Sequence, residues 1–94
     1  MNFDWDLLKD RENQQKHGVS FAEAARAWLD PRRVTRADRK HSSRQEQRCF
    51  LLGQVSDGVL TIRFTRRGDT VRIIGAGYWR EGRMIYEEAN RFRR

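Results

Sequence analysis

The sequence holds one cysteine, Cys49, one proline, Pro31, and two histidines, His17 and His41. A lone cysteine excludes an intrachain disulfide. His17, His41 and Cys49 lie too far apart to supply the short-spaced ligand pair of a structural zinc site, so no metal is expected. No apolar run approaches the roughly 20 residues of a membrane span. The opening Met1–Asp6 carries acid where a secretory signal carries positive charge, which points to a cytoplasmic protein with no membrane partner. There is no P-loop and no G-x-S-x-G. Gly75-Ala76-Gly77 lacks the third glycine and the βαβ surroundings of a dinucleotide site, so no cofactor is expected. Aromatics are not scarce: three Trp, five Phe and two Tyr argue against disorder.

What is abundant is positive charge. Lys and Arg number 20 against 13 Asp and Glu, a net +7, and 17 of the bases are arginine. With 94 residues, 37% of them apolar, the chain fits one small domain, 1–94, with a thin core. Residues 32–48 and 63–94 are each net +5, while 1–31 and 49–62 are slightly acidic. Two arginine-rich blocks flanking an apolar strand region suit a polyanion, most simply a nucleic acid, because the guanidinium fork matches phosphate.

Residues 2–5 alternate as a short strand. Asp6 can cap a helix over 7–16 that Gly18 ends. Ser20 and Glu23 form a capping box, with Val19 placed to staple against Ala24. Phe21, Ala24, Ala25, Trp28 and Leu29 then make one apolar stripe up to Asp30-Pro31. Residues 31–45 show no period and are expected to be a loop. From Cys49 the period is two, and Asp57-Gly58 marks a hairpin pairing Val55 with Leu60, Gly53 with Ile62 and Leu51 with Phe64. A second hairpin at Gly68-Asp69 pairs Phe64 with Ile73 and Arg66 with Val71, which sets Thr65 across from Arg72. This register gathers Arg63, Thr65, Arg72, Ile74, Ala76 and Tyr78 on one open face. Ile85, Ala89 and Phe92 mark a last helix. The order β-α-α-β-β-β-α predicts an α+β fold with an antiparallel sheet packed on helices.

An open face bearing arginines invites one kind of chemistry. RNA is cut without metal when its own 2′-hydroxyl attacks the neighbouring phosphate, given a proton acceptor, a proton donor and cations on the phosphate oxygens. Arg63 and Arg72 are the candidate cations. Tyr78, His17, His41 and Glu46 are the candidate proton-transfer groups. Direct reading of DNA is disfavoured, since the best-written helix, 20–29, is apolar and acid-capped rather than basic.

Several blocks, taken in order, resemble the BrnT toxins of bacterial type II toxin–antitoxin modules. They are F-x-W-D at Phe3–Asp6, N-x-x-K-H-G-V-S-F-x-E-A at Asn13–Ala24, His41-Ser42 followed by Glu46-x-Arg48, R-G-D-x-x-R-I-I-x-A at Arg67–Ala76, and Tyr86-Glu87. The resemblance implies a RelE-like ribonuclease fold and a BrnA-like antitoxin with a ribbon-helix-helix segment. It also implies a homodimer within the toxin–antitoxin complex, an RNA substrate, and growth arrest. Lys16 and His17, Glu46 and Arg48, and Arg72 fall inside the family motifs. With the basic residues near them, Lys16, His41, Arg48, Arg66 and Arg67 become the candidate RNA contacts. The chain departs from the family at Gly77, where many members have arginine, and Arg80 is the nearest substitute cation. That departure, over Gly77–Gly82, is what supports the competing reading of a non-catalytic RNA- or ribosome-binding module, or of an antitoxin-binding corepressor.

Overall fold

Glycine positions and strand parity decide how the central hairpins close. In the computed structural model, which describes residues 1–93, β3 (Arg48–Val55), β4 (Gly58–Arg67) and β5 (Thr70–Gly77) form an antiparallel meander. The first turn is Ser56-Asp57, and Val55 pairs with Gly58, Gly53 with Leu60 and Leu51 with Ile62. The register is therefore two residues from the expected one. A mirror-image turn centred on Asp57-Gly58 would need a positive φ at Asp57, and no non-glycine residue among those described has one. The left-handed freedom is used instead at Gly58, φ +148°. A slip of two keeps every side chain on its expected face, which is why the core expectation survives it. The second hairpin pairs as expected, Phe64 with Ile73 and Thr65 with Arg72, across a Gly68 at φ +60°.

Beyond Phe64 the ladder shifts by one. Arg63 faces Gly75 and Ile62 faces Ala76, leaving Ile74 as the extra residue of a bulge. Ala76 is thereby turned into the core, fully buried, and is not on the open face with Arg63. Tyr78 follows it away from that face and donates from its hydroxyl to Glu23 Oε2 at 3.3 Å.

Two strands complete the sheet, in the order β1-β5-β4-β3-β2. β1 (Asn2–Asp4) lies parallel to the start of β5. β2 (Val34–Ala37) pairs antiparallel with β3, inside the stretch expected to be a loop. Only Val34 of β2 is buried, so the strand has no hydrophobic alternation to betray it. The sheet is thus five-stranded and mixed, and the fold is α+β with one strand more than the sequence order predicts.

One face of the sheet carries Leu51, Leu60, Ile62, Phe64, Val71, Ile73 and Ala76 against Val19, Phe21, Ala24 and Ala27. Ser20 Oγ accepts from Glu23 N at 3.0 Å and starts α2 (Phe21–Ala25), which tightens into a 3₁₀ turn over Arg26–Leu29. At three residues per turn the buried positions become 21, 24 and 27. Leu29, expected in the stripe, is instead 80% exposed. On the other face, α3 (Arg80–Ala89) sets Ile85 and Tyr86 against Val34, Leu52 and Val59. Phe92 lies past the end of α3 and is exposed, so the expected 85-89-92 stripe is replaced by Gly82, Ile85 and Tyr86.

α1 (Leu7–His17) is fixed by polar contacts rather than by an apolar stripe, as Leu7 and Leu8 are exposed. Asn13 is buried, its Nδ2 donating to Val19 O and Ala76 O and its Oδ1 accepting from Ala76 N. β1 covers only Thr70–Arg72 of the β5 edge, and Asn13 bonds that edge further along.

Asp30 joins three layers. Its carboxylate accepts from the hydroxyl of Tyr86 at 2.6 Å and from the backbone N–H groups of Gln54 and Arg32 at 2.7 and 2.9 Å. Burial works to raise the Asp30 pKa, but these donors outweigh it and hold the carboxyl below its ordinary value. Burial, followed by the bond to Asp30, pushes the Tyr86 hydroxyl up to about 12. The stability that Asp30 contributes is therefore present above the ordinary carboxylate pKa and drains as pH falls through its depressed one. The stability tied to neutral Tyr86 is lost as pH rises from about 10 towards about 12. Tyr86→Phe is expected to cost about 1–2 kcal/mol near neutral pH and to flatten the alkaline loss, as checked by urea unfolding across pH. An unchanged alkaline limb would contradict this account.

Candidate nucleic-acid interface

Helical spacing brings a row of α1 side chains to one groove. Lys9, Glu12, Asn13, Lys16 and His17 fall at i, i+3, i+4, i+7 and i+8, and they line a hollow of about 290 Å³ with Arg63, Ile74, Gly75 and Trp79. Lys16 and His17 sit in the last turn of α1, where positive charge also suits the helix C-terminus. The His17 ring meets Trp79 edge-on, with centroids 5.2 Å apart and planes at 85°. Arg63 is half-buried and makes no ion pair among the described residues. A partly desolvated guanidinium without a carboxylate partner keeps its forked donors for an incoming anion.

The remaining sequence candidates divide among other places. Arg72 shares the face of Arg63, but its NH1 lies 3.2 Å from Asp4 Oδ1. Glu46 is held between Arg48, at 3.0 Å, and Arg67, at 3.6 Å. The hydrogen bond from Arg48 is the main cause of a Glu46 pKa below the ordinary value, which moves this carboxylate away from the neutral range that suits a general base. His41 Nδ1 lies 2.8 Å from the buried Asp38. Ser42 Oγ donates to Asp38 O and accepts from Arg48 N, so His41 and Ser42 brace the link from β2 to β3. Arg66 is exposed, with its guanidinium over the Phe64 ring. Arg80 borders a separate hollow with Tyr78, Asp57 and Arg83. Burial, then the charge of Glu23, raises the Tyr78 pKa, and its hydroxyl faces α2 rather than the groove.

Lys16, His17 and Arg63 are thus brought together, and Arg72 lies on the same sheet face. Lys9, Glu12 and Trp79 were not singled out from sequence. The first two were legible as a polar stripe in register with Lys16. Trp79 was not legible, because its placement depends on the bulge. A Cβ at Gly77 would lie 2.6 Å from the Trp79 ring. Glycine at 77 and tryptophan at 79 therefore form a matched pair, and the ring occupies space that an arginine at 77 would need.

A small α+β domain with an unpaired arginine, lysines and a histidine in one groove beside a sheet has the chemistry of a phosphodiester-binding protein. The model of the BrnT family, described as the ribonuclease toxin of type II toxin–antitoxin systems, matches residues 5–82, and the chain belongs to that family. The matched segment includes every residue lining the groove. Among curated proteins none matches the chain. No helix among the described residues is long and apolar enough to cross a membrane.

Proposed function

We propose that this chain is an endoribonuclease toxin that cuts RNA in the groove between α1 and β5 without a metal ion. The observation that carries the reading is the gathering of Arg63, Lys16, His17 and Glu12 around one hollow. Arg63 and Lys16 hold the non-bridging oxygens of the scissile phosphate and neutralise the charge that builds there. Glu12 takes the proton of the 2′-hydroxyl, whose oxygen forms a bond to phosphorus. The bond from phosphorus to the 5′ oxygen breaks, and protonated His17 gives that oxygen a proton. The products are a 2′,3′-cyclic phosphate and a 5′-hydroxyl. Arg72 and the Arg48–Glu46–Arg67 cluster extend the positive track along the sheet and contact flanking phosphates.

The family implies an antitoxin. In this reading it is a BrnA-like ribbon-helix-helix protein acting in the cytoplasm, and the toxin pairs with a second copy of itself in the complex. Exposed Leu7, Leu8, Leu29 and Met84 offer apolar surface for such contacts.

The test is cleavage of a labelled RNA in excess EDTA. Cyclic or 3′-phosphate ends, with activity falling on either side of a pH optimum, are expected. RNA binding that weakens with salt, with no cut product at high protein concentration, would replace this reading with that of a non-catalytic binding module.

A further inference from the structure

Trp79 has a second side. Opposite the groove it borders another hollow, of about 220 Å³, between the sheet and the start of α3. Its walls are mostly apolar, with Phe50 and Leu52 from β3, Ile85 from α3, and Trp79 itself. Two charged residues stand in the lining, Arg36 from β2 and Glu81 from the first turn of α3. They make no ion pair with each other or with any other described residue. The hollow is smaller than the roughly 300–1,000 Å³ of pockets for drug-sized ligands, so it suits one flat ring system rather than a larger molecule.

We infer that this hollow seats a guanine base of the RNA, next to the phosphate held on the other side of Trp79. Aromatic walls stack on a base of any kind, so stacking gives affinity without choice. The choice comes from the charged pair. A carboxylate only accepts and a guanidinium only donates. Guanine offers adjacent ring and exocyclic N–H donors on one edge and two acceptors, O6 and N7, on another. Glu81 can take both N–H groups while Arg36 donates to the acceptors. Adenine has a ring acceptor where guanine has its ring N–H, so it would set a lone pair against the carboxylate. Gly82 lets α3 approach the sheet here, since a Cβ at that position would collide with Thr61 Oγ1 and Leu52. The close approach brings Glu81 into the lining of the hollow together with Arg36 of β2.

The inference rests on the ribonuclease reading for its neighbouring phosphate, and its test does not require cleavage. The 3′-monophosphates of guanosine, adenosine, cytidine and uridine are titrated into the protein and followed by calorimetry. Guanosine 3′-monophosphate is expected to bind roughly tenfold more tightly than the other three. Glu81→Gln should bring all four within about twofold, Arg36→Ala should remove much of the same preference, and Phe50→Ala should weaken all four together. Both charged side chains belong to exposed residues, so these two variants keep the fold. Equal binding of the four nucleotides, or a preference that survives Glu81→Gln, overturns the assignment. A guanosine preference that depends on Glu81, in a protein that cuts no RNA, would keep the base site and remove the ribonuclease reading. Cutting that is indifferent to base in both wild type and Glu81→Gln would do the reverse.

Discussion

Arg63→Ala is expected to lower RNA cleavage by about 10²–10³-fold, with the melting temperature nearly unchanged. The magnitude is that of removing one preorganised donor from the charge developing in a transition state. Arg63 is suited to carry so large a share because it is half-buried and no carboxylate competes for it among the described residues. Arg72 provides the internal comparison. It sits on the same face, but its pairing with Asp4 means that phosphate binding there must first displace an anion. Arg72→Ala should therefore cost less than Arg63→Ala. The measurement is single-turnover cleavage of the labelled RNA, with thermal melting of both variants alongside. If the order of the two is reversed, the reacting phosphate lies over the β1–β5 end of the sheet and not in the α1 groove.

The largest effect on stability is expected at a polar residue. Asn13→Leu keeps the size of the side chain but removes three hydrogen bonds, leaving the N–H and carbonyl of Ala76 and the carbonyl of Val19 without their partner. Buried backbone groups stripped of partners cost about 1–3 kcal/mol each, so a loss of roughly 3 kcal/mol or more is expected. For a domain of this size that lowers the melting temperature by about 12–24 °C. Asn13→Asp sets an acceptor-only carboxylate against the carbonyls of Val19 and Ala76 and should cost at least as much as Asn13→Leu. A loss below about 1 kcal/mol would mean that α1 is held by something other than this side chain.

These two residues also show what the sequence makes legible. Caps, hairpin positions and the burial of Phe21, Phe64 and Ile73 follow from local patterns that the tertiary structure does not oppose. The parity that put Arg63 and Arg72 on one face held even though the first hairpin closes two residues from the expected place. What was hidden depends on non-local arrangement. Val34–Ala37 becomes a strand because β3 offers it an edge, not because its own pattern asks for one. α1 has almost no buried apolar side chain, so its docking through Asn13 and Asp10, which accepts from Phe21 N, leaves no hydrophobic trace. Ala76 is small enough to fit either face, and nothing in Ile74-Gly75-Ala76 declares which residue will be the extra one. The candidate site is accordingly visible as residue types, with Lys16, His17 and Arg63 among them, while Tyr78, His41, Glu46 and Arg80, expected in it, lie elsewhere.

The extra residue at Ile74 has a consequence for how the groove is specified. Removing it would give a regular ladder with Arg63 opposite Gly75 and Ile62 opposite Ala76 as now, so every later side chain would keep its face. The indole, which borders three hollows, would stay on its present side of the sheet, and only the Ile74 side chain would leave the groove. The location of this protein's chemistry is to that extent a matter of register. It is stored in the pairing of Ile62 with Ala76 and Thr61 with Gly77, which the bulge preserves despite the extra residue.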